Sequence, residues 1–270
     1  MNSATFLVIL AGGSEGEQIF EKYKKYTPRN FEKYLRNGGQ ISLPFEPNSK
    51  ELIEAYDLAQ KYHLSTLLTS HTYYTPKELT SHPYFELLLP WPLELEGTSA
   101  ENYGTQYQGG CPYCGMGKKP VGDVYVDRKF VRKYRAGTLV NEVFTNGEVK
   151  QIIQDNQLSG VIFKHMLKDY KGRELDDYHI AEIISTLPPL SSKTWLEPER
   201  RLNEQCEHRV IYLRSPLRYE RSKLAEAADF NLTCEYLNNF QEPGIVVSAK
   251  VKEIFTKHKI FARFRPVDID

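Results

Sequence analysis

The sequence is poor in cysteine, carries no net charge and contains no long apolar run. Four cysteines in 270 residues are too few for a disulfide scaffold, so we expect a reducing compartment. The longest apolar runs, Phe6–Ala11 and Leu87–Leu93, are far shorter than the roughly 20 residues that span a membrane. No positive charge precedes the first run, as it does in a signal peptide. We therefore expect a soluble, cytoplasmic protein with no membrane partner.

The balance of charge limits the functional classes. Lys plus Arg and Asp plus Glu both number 35, which argues against a generally basic nucleic-acid-binding surface. Hydrophobic residues make up 40% of the chain and tyrosines number 18, as in a globular protein that can form a core. No Ser/His/Asp arrangement and no nucleophile elbow occurs in a recognisable local context.

The pattern of apolar residues predicts a mixed α+β fold. An N-terminal α/β domain is expected over residues 1–100 and a second domain over 101–270. Thr5–Ala11 has the continuous apolar character of a buried strand, and Asn48 or Ser49 is expected to cap a helix over Lys50–His63. A glycine loop, Gly12–Gly16, follows the first strand, and we interpret it as a plain turn rather than a phosphate site because it lacks a full phosphate-binding motif.

The most specific motif is Cys111-Pro112-Tyr113-Cys114-Gly115-Met116-Gly117. Two cysteines separated by two residues on a glycine-rich turn are typical of a zinc knuckle, because both thiolates can point at one ion. A structural zinc site needs four ligands, so one CxxC supplies only half of it. A redox motif and two cysteines without special chemistry are the alternatives.

Few residues can complete this site. Cys206 and His208 lie two positions apart, and Cys234 is a further candidate. The predicted zinc ligands are Cys111, Cys114, Cys206 and His208, with Cys234 as an alternative fourth ligand, and Zn²⁺ is the expected structural cofactor. The alternative is that Cys206 and Cys234 are ordinary small buried residues.

A pattern of strand, capped helix and strand occurs twice, with Asn146 and Ser248 as the expected helix caps. Val143–Ile153 aligns without a gap on Ile245–Phe255, and the match continues from Leu158–Phe163 onto Ile260–Arg265. We therefore predict an internal repeat with related halves over residues 103–167 and 203–270. Chance similarity of two amphipathic helices is the alternative.

Two further groups suggest other functions. Asp176, His179 and Glu182 recur every third residue, so on a helix they would share a polar face suited to acid–base or metal chemistry, although a solvated face is the simpler interpretation. Basic and aromatic residues alternate in Arg128–Arg135, and Arg214–Arg221 carries three arginines. These segments suggest nucleic-acid binding as an alternative function.

The knuckle Cys111–Gly115, the degenerate second segment Cys206–Arg209 and the ending Val246–Val267 occur together. In these features the chain resembles bacterial proteins of the double-CxxCG and related immunity-protein type over residues 103–270, with Cys206-Glu207-His208-Arg209 standing where a second CxxC is expected. The resemblance implies a non-enzymatic binding protein that neutralises a partner protein, a bacterial toxin, through a surface on a zinc-stabilised scaffold. The alternatives are nucleic-acid binding and an enzyme that uses Asp176, His179 and Glu182.

Overall fold

The computed structural model describes most of the chain, in two compact units. The described residues are 2–10, 13–26, 36–37, 40–46, 49–90, 104–139, 142–164, 167–194, 196, 200–201, 205, 209–210, 213, 215–237 and 243–270. The first unit comprises residues 1–81 with the segments 192–197 and 213–216, and the second comprises residues 82–191, 198–212 and 217–270. The chain thus divides at Ser81, before the residue-100 boundary expected from the sequence.

The first unit is a four-stranded antiparallel sheet with two main helices. Its elements are β1 (Asn2–Leu10), α1 (Gly13–Tyr23), a 3₁₀ turn (Lys24–Tyr26), β2 (Arg36–Asn37), β3 (Gln40–Phe45), α2 (Lys50–Lys61), β4 (Ser65–Tyr73) and α3 (Pro76–Ser81). The strand order is β2-β3-β1-β4, which is the split βαβ arrangement of a βαββαβ unit. The expected first strand and the helix after residue 49 are both present.

Local sequence explains how these elements begin and pack. The Ser49 hydroxyl accepts a hydrogen bond from the Leu52 N–H at 3.2 Å, so it caps α2 as predicted. Apolar residues from one sheet face and from α1 and α2 form one core. Its fully buried members include Leu7, Ile9 and Ile19, and burying each such side chain stabilises the fold by roughly 1.5–3 kcal/mol.

The second unit contains the knuckle and two modules of the same design. Its elements are β5 (Tyr84–Leu88), β6 (Gln106–Gln108), β7 (Lys119–Val121), β8 (Val124–Val126), α4 (Arg128–Val131), β9 (Ala136–Leu139), β10 (Glu142–Asn146), α5 (Gly147–Asp155), β11 (Val161–Lys164), β12 (Leu167–Asp169), β13 (Tyr178–Ile183), β14 (Arg200–Arg201), β15 (Arg209–Val210), β16 (Arg218–Tyr219), a 3₁₀ turn (Arg221–Leu224), β17 (Phe230–Tyr236), β18 (Pro243–Ser248), α6 (Ala249–Lys257), β19 (Arg263–Pro266) and β20 (Asp268–Ile269). We call β8–β13 the first module, and β16–β20 together with β5 the second module.

The two modules have matching strand pairings. The first contains the antiparallel sheet β11-β13-β10-β9 and the second the antiparallel sheet β19-β5-β18-β17. A parallel pair accompanies each sheet, β8 with β12 in the first module and β16 with β20 in the second. The strand β13 therefore corresponds to β5, which precedes the whole first module in the chain.

The helices of the two modules begin and end alike. The side chains of Asn146 and Ser248 each accept a hydrogen bond from the backbone N–H three residues later, at 3.0 and 3.4 Å. Just after α5 and α6, Gln157 and Lys259 have positive φ angles of 50° and 52°. Such left-handed residues commonly end a helix. The predicted caps and the repeated strand–helix–strand pattern are thus both present.

The predicted gapless alignment fails after the helices. Phe163 pairs with Ala181 on β13, and Phe264 pairs with Leu87 on β5. Since Ala181 and Leu87 occupy equivalent places in their strands, Phe163 matches Phe264 and not Arg265. The second module is therefore one residue shorter between its helix and the following strand.

One core joins the two modules. It includes Val149 and Ile153 from α5, Val251 and Phe255 from α6, and Phe230 from β17. Because both helices contribute to this core, neither module buries its apolar face alone. The α+β class is confirmed. No helix among the described residues is long and apolar enough to cross a bilayer.

Candidate functional site

The knuckle is the tip of a β-hairpin formed by β6 and β7. Gln106 pairs with Val121 and Gln108 pairs with Lys119, so the chain reverses between Gln108 and Lys119. The Cys111 N–H donates to the Met116 carbonyl at 2.8 Å, and the Gly115 N–H donates to the Cys111 carbonyl at 2.9 Å. These bonds close the compact turn that the CxxC spacing predicts.

Glycine is required within this turn. Gly110 has φ +76°, and a Cβ there would lie 2.7 Å from the Lys118 nitrogen and 2.8 Å from the Met116 carbonyl oxygen. At such distances backbone atoms would have to move, since neither contact is with a flexible side chain. Met116 anchors the turn, with only 2% of its surface exposed. The tip of the hairpin is therefore held in one conformation.

The side chains at the tip differ in exposure. Cys111 and Cys114 are half-buried, whereas 53% of Tyr113 is exposed. The Tyr236 hydroxyl lies 3.6 Å from where a Cβ on Gly117 would stand, which places the hairpin beside β17. The knuckle thus packs beside β17 of the same unit and presents the ring of Tyr113 to solvent.

The structure corrects the prediction of a zinc centre. In the part of the chain that the structure describes, no group of three or more His, Cys, Asp or Glu side chains is placed to hold a metal ion. Cys111 and Cys114 supply only two ligands, and Cys234 is an exposed residue of β17. Cys206 and His208 lie outside the described residues. The prediction of a zinc-binding protein is therefore contradicted in the described part of the chain, because Cys111 and Cys114 alone supply half of a tetrahedral site.

The prediction of a helix with Asp176, His179 and Glu182 on one face is also wrong. Asp176 lies in a turn, while His179 and Glu182 belong to strand β13 and point to opposite faces of its sheet. The Glu182 carboxylate pairs with the Lys164 ammonium at 2.5 Å across the sheet. The strand forms because β10 and β11 pair with it on both sides. The three side chains therefore do not converge as an acid–base group.

Arginines of the two basic segments form ion pairs and hydrogen bonds inside the second unit. Arg135 donates to the His258 carbonyl at 2.8 Å and pairs with Glu148 at 2.6 Å. Arg218 pairs with Asp268 at 2.9 Å and with Asp270 at 3.7 Å. Lys129, Arg132 and Lys133 are exposed, and Arg214 lies outside the described residues. Nucleic-acid binding stays a prediction.

The glycine loop of the first unit leads into α1. Gly13 begins the helix, while Gly12 lies outside the described residues. Glu15 stands in the first turn and accepts a hydrogen bond from the Ser14 hydroxyl at 2.9 Å. The backbone hydrogen bond to its carboxylate, followed by that of Ser14, lowers the pKa of Glu15. Gly13–Gly16 thus belong to the helix, so the prediction of a plain turn over Gly12–Gly16 is wrong for these residues.

A second candidate site was missed by sequence reasoning. In the first module an apolar cluster that includes Val126, Phe144 and Ile180 lies on the outer side of the sheet. In the second module, Glu86 pairs with Val246 as Ile180 pairs with Phe144. A carboxyl group thus stands where the first module has an apolar side chain.

Other polar groups accompany Glu86. We call Glu86, Tyr219, Asn231 and Glu235 the polar layer. Tyr219 and Asn231 are fully buried. The Tyr219 hydroxyl and the Glu235 Oε2 have no hydrogen-bond partner within the described part of the chain. Burial and then electrostatic interactions with Glu235, Cys234 and Glu86 raise the pKa of the Tyr219 phenol, so these three groups lie within electrostatic reach of Tyr219.

Comparisons with known proteins assign no relationship. No protein-family model matches the sequence, and no curated protein is similar to it. The function is therefore argued from the chain's own geometry.

Proposed function

We propose that this chain is a non-enzymatic, immunity-like binding protein that neutralises a partner protein, a bacterial toxin, by docking the knuckle hairpin against it. The observation that carries this proposal is the exposure of Tyr113, which is 53% exposed at the tip of a hairpin. The turn of this hairpin is closed by backbone hydrogen bonds and by the close packing of Gly110. Tyrosine is one of the residues that most often dominate the binding energy of protein interfaces.

The geometry of the hairpin favours recognition. The turn around Cys111–Met116 is closed by backbone hydrogen bonds in the free protein, so Tyr113 need not be ordered on binding. A preorganised loop lowers the entropic cost of association. Val121 at the base of the same hairpin is 42% exposed and extends the apolar surface.

The motif resemblance points in the same direction. Tyr113 lies inside the Cys111–Gly115 motif on which the similarity to double-CxxCG immunity proteins rests. This proposal needs only the shape of the knuckle and does not involve a metal.

Rescue of a bacterial host tests the proposal. The chain is co-expressed with a toxic protein encoded beside its gene, and wild type is compared with Tyr113→Ala and Tyr170→Ala. Tyr170 is a matched control because it is 55% exposed on the same unit and directly follows β12, so it is not a residue of the hairpin. We expect wild type and Tyr170→Ala to restore growth and to bind the toxin in pull-downs, and Tyr113→Ala to weaken binding at least tenfold, about 1.4 kcal/mol. Failure of wild type to bind or to rescue, or full rescue by Tyr113→Ala, contradicts the proposal.

A further inference from the structure

The polar layer lies around β5, the strand of the second module that comes from a distant part of the sequence. β5 lies between β18 and β19, and Glu86 pairs with a residue on each of them, Val246 and Arg265. Phe85 and Leu87, on either side of Glu86 in the strand, enter the shared core. Glu86 therefore points to the opposite side of the sheet, where the first module has Ile180 in its apolar cluster.

The carboxyl group of Glu86 has little to compensate for its charge. Its side chain is only 17% exposed, and its one ion-pair partner among the described residues is Arg265, at 3.4 Å. Arg265 is itself 64% exposed, so solvent screens much of its attraction. Burial raises the pKa of Glu86, and the opposing charge and hydrogen bond of Arg265 offset this only in part.

The described neighbours of Glu86 on β17 and β18, and Tyr219 on β16, do not add positive charge. Tyr219 on β16, with Glu235 and Cys234 on β17, present a phenol, a carboxylate and a thiol to this region. Asn231 on β17 and Val246 on β18 are fully buried and carry no titratable group. On β5 itself the other titratable group is Tyr84, whose pKa is raised by burial and then by Asp229. Among the described residues, the one ion pair of an ionised Glu86 is therefore with Arg265, and the other cation on the same face of β19, Arg263, is exposed to solvent.

We infer that Glu86 makes the second module a pH-sensitive element: the protonated carboxyl holds β5 tightly between β18 and β19, and loss of the proton loosens β5 more than β13 of the first module. The sign follows from linkage. A carboxyl whose folded-state pKa is raised adds full stability below the ordinary carboxyl range, and that stability is lost as pH rises through the folded-state value. Local opening of β5 is therefore favoured at higher pH. This inference does not depend on the role of Tyr113.

Hydrogen exchange of the full chain at pH 5 and pH 8, corrected for intrinsic exchange rates, tests the inference. The amides of Tyr84–Leu88 report on β5, and those of Tyr178–Ile183 on β13 are the internal control. In the wild type, protection of β5 relative to β13 should fall at the higher pH, by about tenfold for each unit by which the pKa of Glu86 is raised.

Three variants separate charge from packing. Glu86→Gln keeps the shape of the side chain without its charge, and Glu86→Ile installs the first module's residue; each should abolish the pH dependence of β5. Glu182→Gln removes a carboxylate of β13 that pairs with Lys164, so it is the control and should leave the dependence unchanged. Equal pH dependence of β5 and β13 in the wild type, or a dependence that survives in either Glu86 variant, overturns the inference.

Discussion

Substitution of Gly160 by alanine should destabilise the second unit far more than an ordinary glycine substitution. Gly160 has φ +87°, and a Cβ there would lie 2.1 Å from the Phe230 carbonyl oxygen and 2.7 Å from the Ala228 Cβ. The backbone cannot simply withdraw, because the Phe230 N–H donates to the Ser159 carbonyl at 3.0 Å. The substitution therefore forces the two modules apart at a point where they are hydrogen-bonded.

The size of the effect follows from two terms. A left-handed backbone costs a side-chain-bearing residue about 1–2 kcal/mol, and overpacking at a tight contact costs about 1–3 kcal/mol more. Gly172 supplies the control, because it has φ +76° but no atom within 4 Å of the position that a Cβ would take. We expect Gly172→Ala to incur only the cost of the left-handed backbone, and Gly160→Ala to incur both this cost and that of overpacking.

Urea unfolding of the full-length variants, followed by circular dichroism, measures the difference. Gly160→Ala should lower the free energy of unfolding by about 2–5 kcal/mol and Gly172→Ala by about 1–2 kcal/mol, at similar slopes. If the two variants are equally stable, the close approach between Gly160 and Phe230 does not constrain the protein, and the argument that the modules form one packed body fails.

Four other substitutions test contacts of the modules. Burial acts to raise the pKa of Asp229, but hydrogen bonds from Ser248 and Ser159 outweigh it and hold the pKa below its usual range. The stability that Asp229 adds is therefore present above the ordinary carboxyl range and is lost as the pH falls. Asp229→Asn should make the stability measured by thermal melts less dependent on pH in the acid range. Loss of the helix cap in Asn146→Ala should cost about 1 kcal/mol in urea unfolding, and Ser248→Ala should cost more because it also removes the hydrogen bond that Ser248 donates to Asp229. A cost near zero for either variant would contradict its capping role. The Thr145 hydroxyl is buried without a partner within the described part of the chain, so Thr145→Val should be neutral or stabilise by about 1 kcal/mol, and a clear loss would show a missed hydrogen bond.

Features set by neighbouring residues were predicted well. The caps at Ser49, Asn146 and Ser248 follow from side chains that accept hydrogen bonds from nearby backbone, and the knuckle turn follows from its glycines. These interactions span only a few positions, so the local sequence contains nearly all the information that they need.

Features set by distant pairing were not predicted. The polar residues of Tyr178–Ile183 recur with a helical spacing, yet the segment is a strand because β10 and β11 supply partners on both sides. β5 joins the second module from outside the aligned halves, so the repeat as read from sequence omitted one strand of each sheet. Propensity yields to tertiary pairing at such segments.

The comparison between modules explains why Glu86 was overlooked and why it is informative. A glutamate between two apolar strand residues normally faces water, and the sequence alone gives no reason to place it otherwise. Once β5 is matched with β13, Glu86 falls on Ile180, a position that the same architecture fills with an apolar side chain. A fold that accepts isoleucine there does not need a carboxyl group, so the polar layer is not a requirement of the architecture. Departures of this kind from a locally consistent core are expected where function, and not stability, determines the residue.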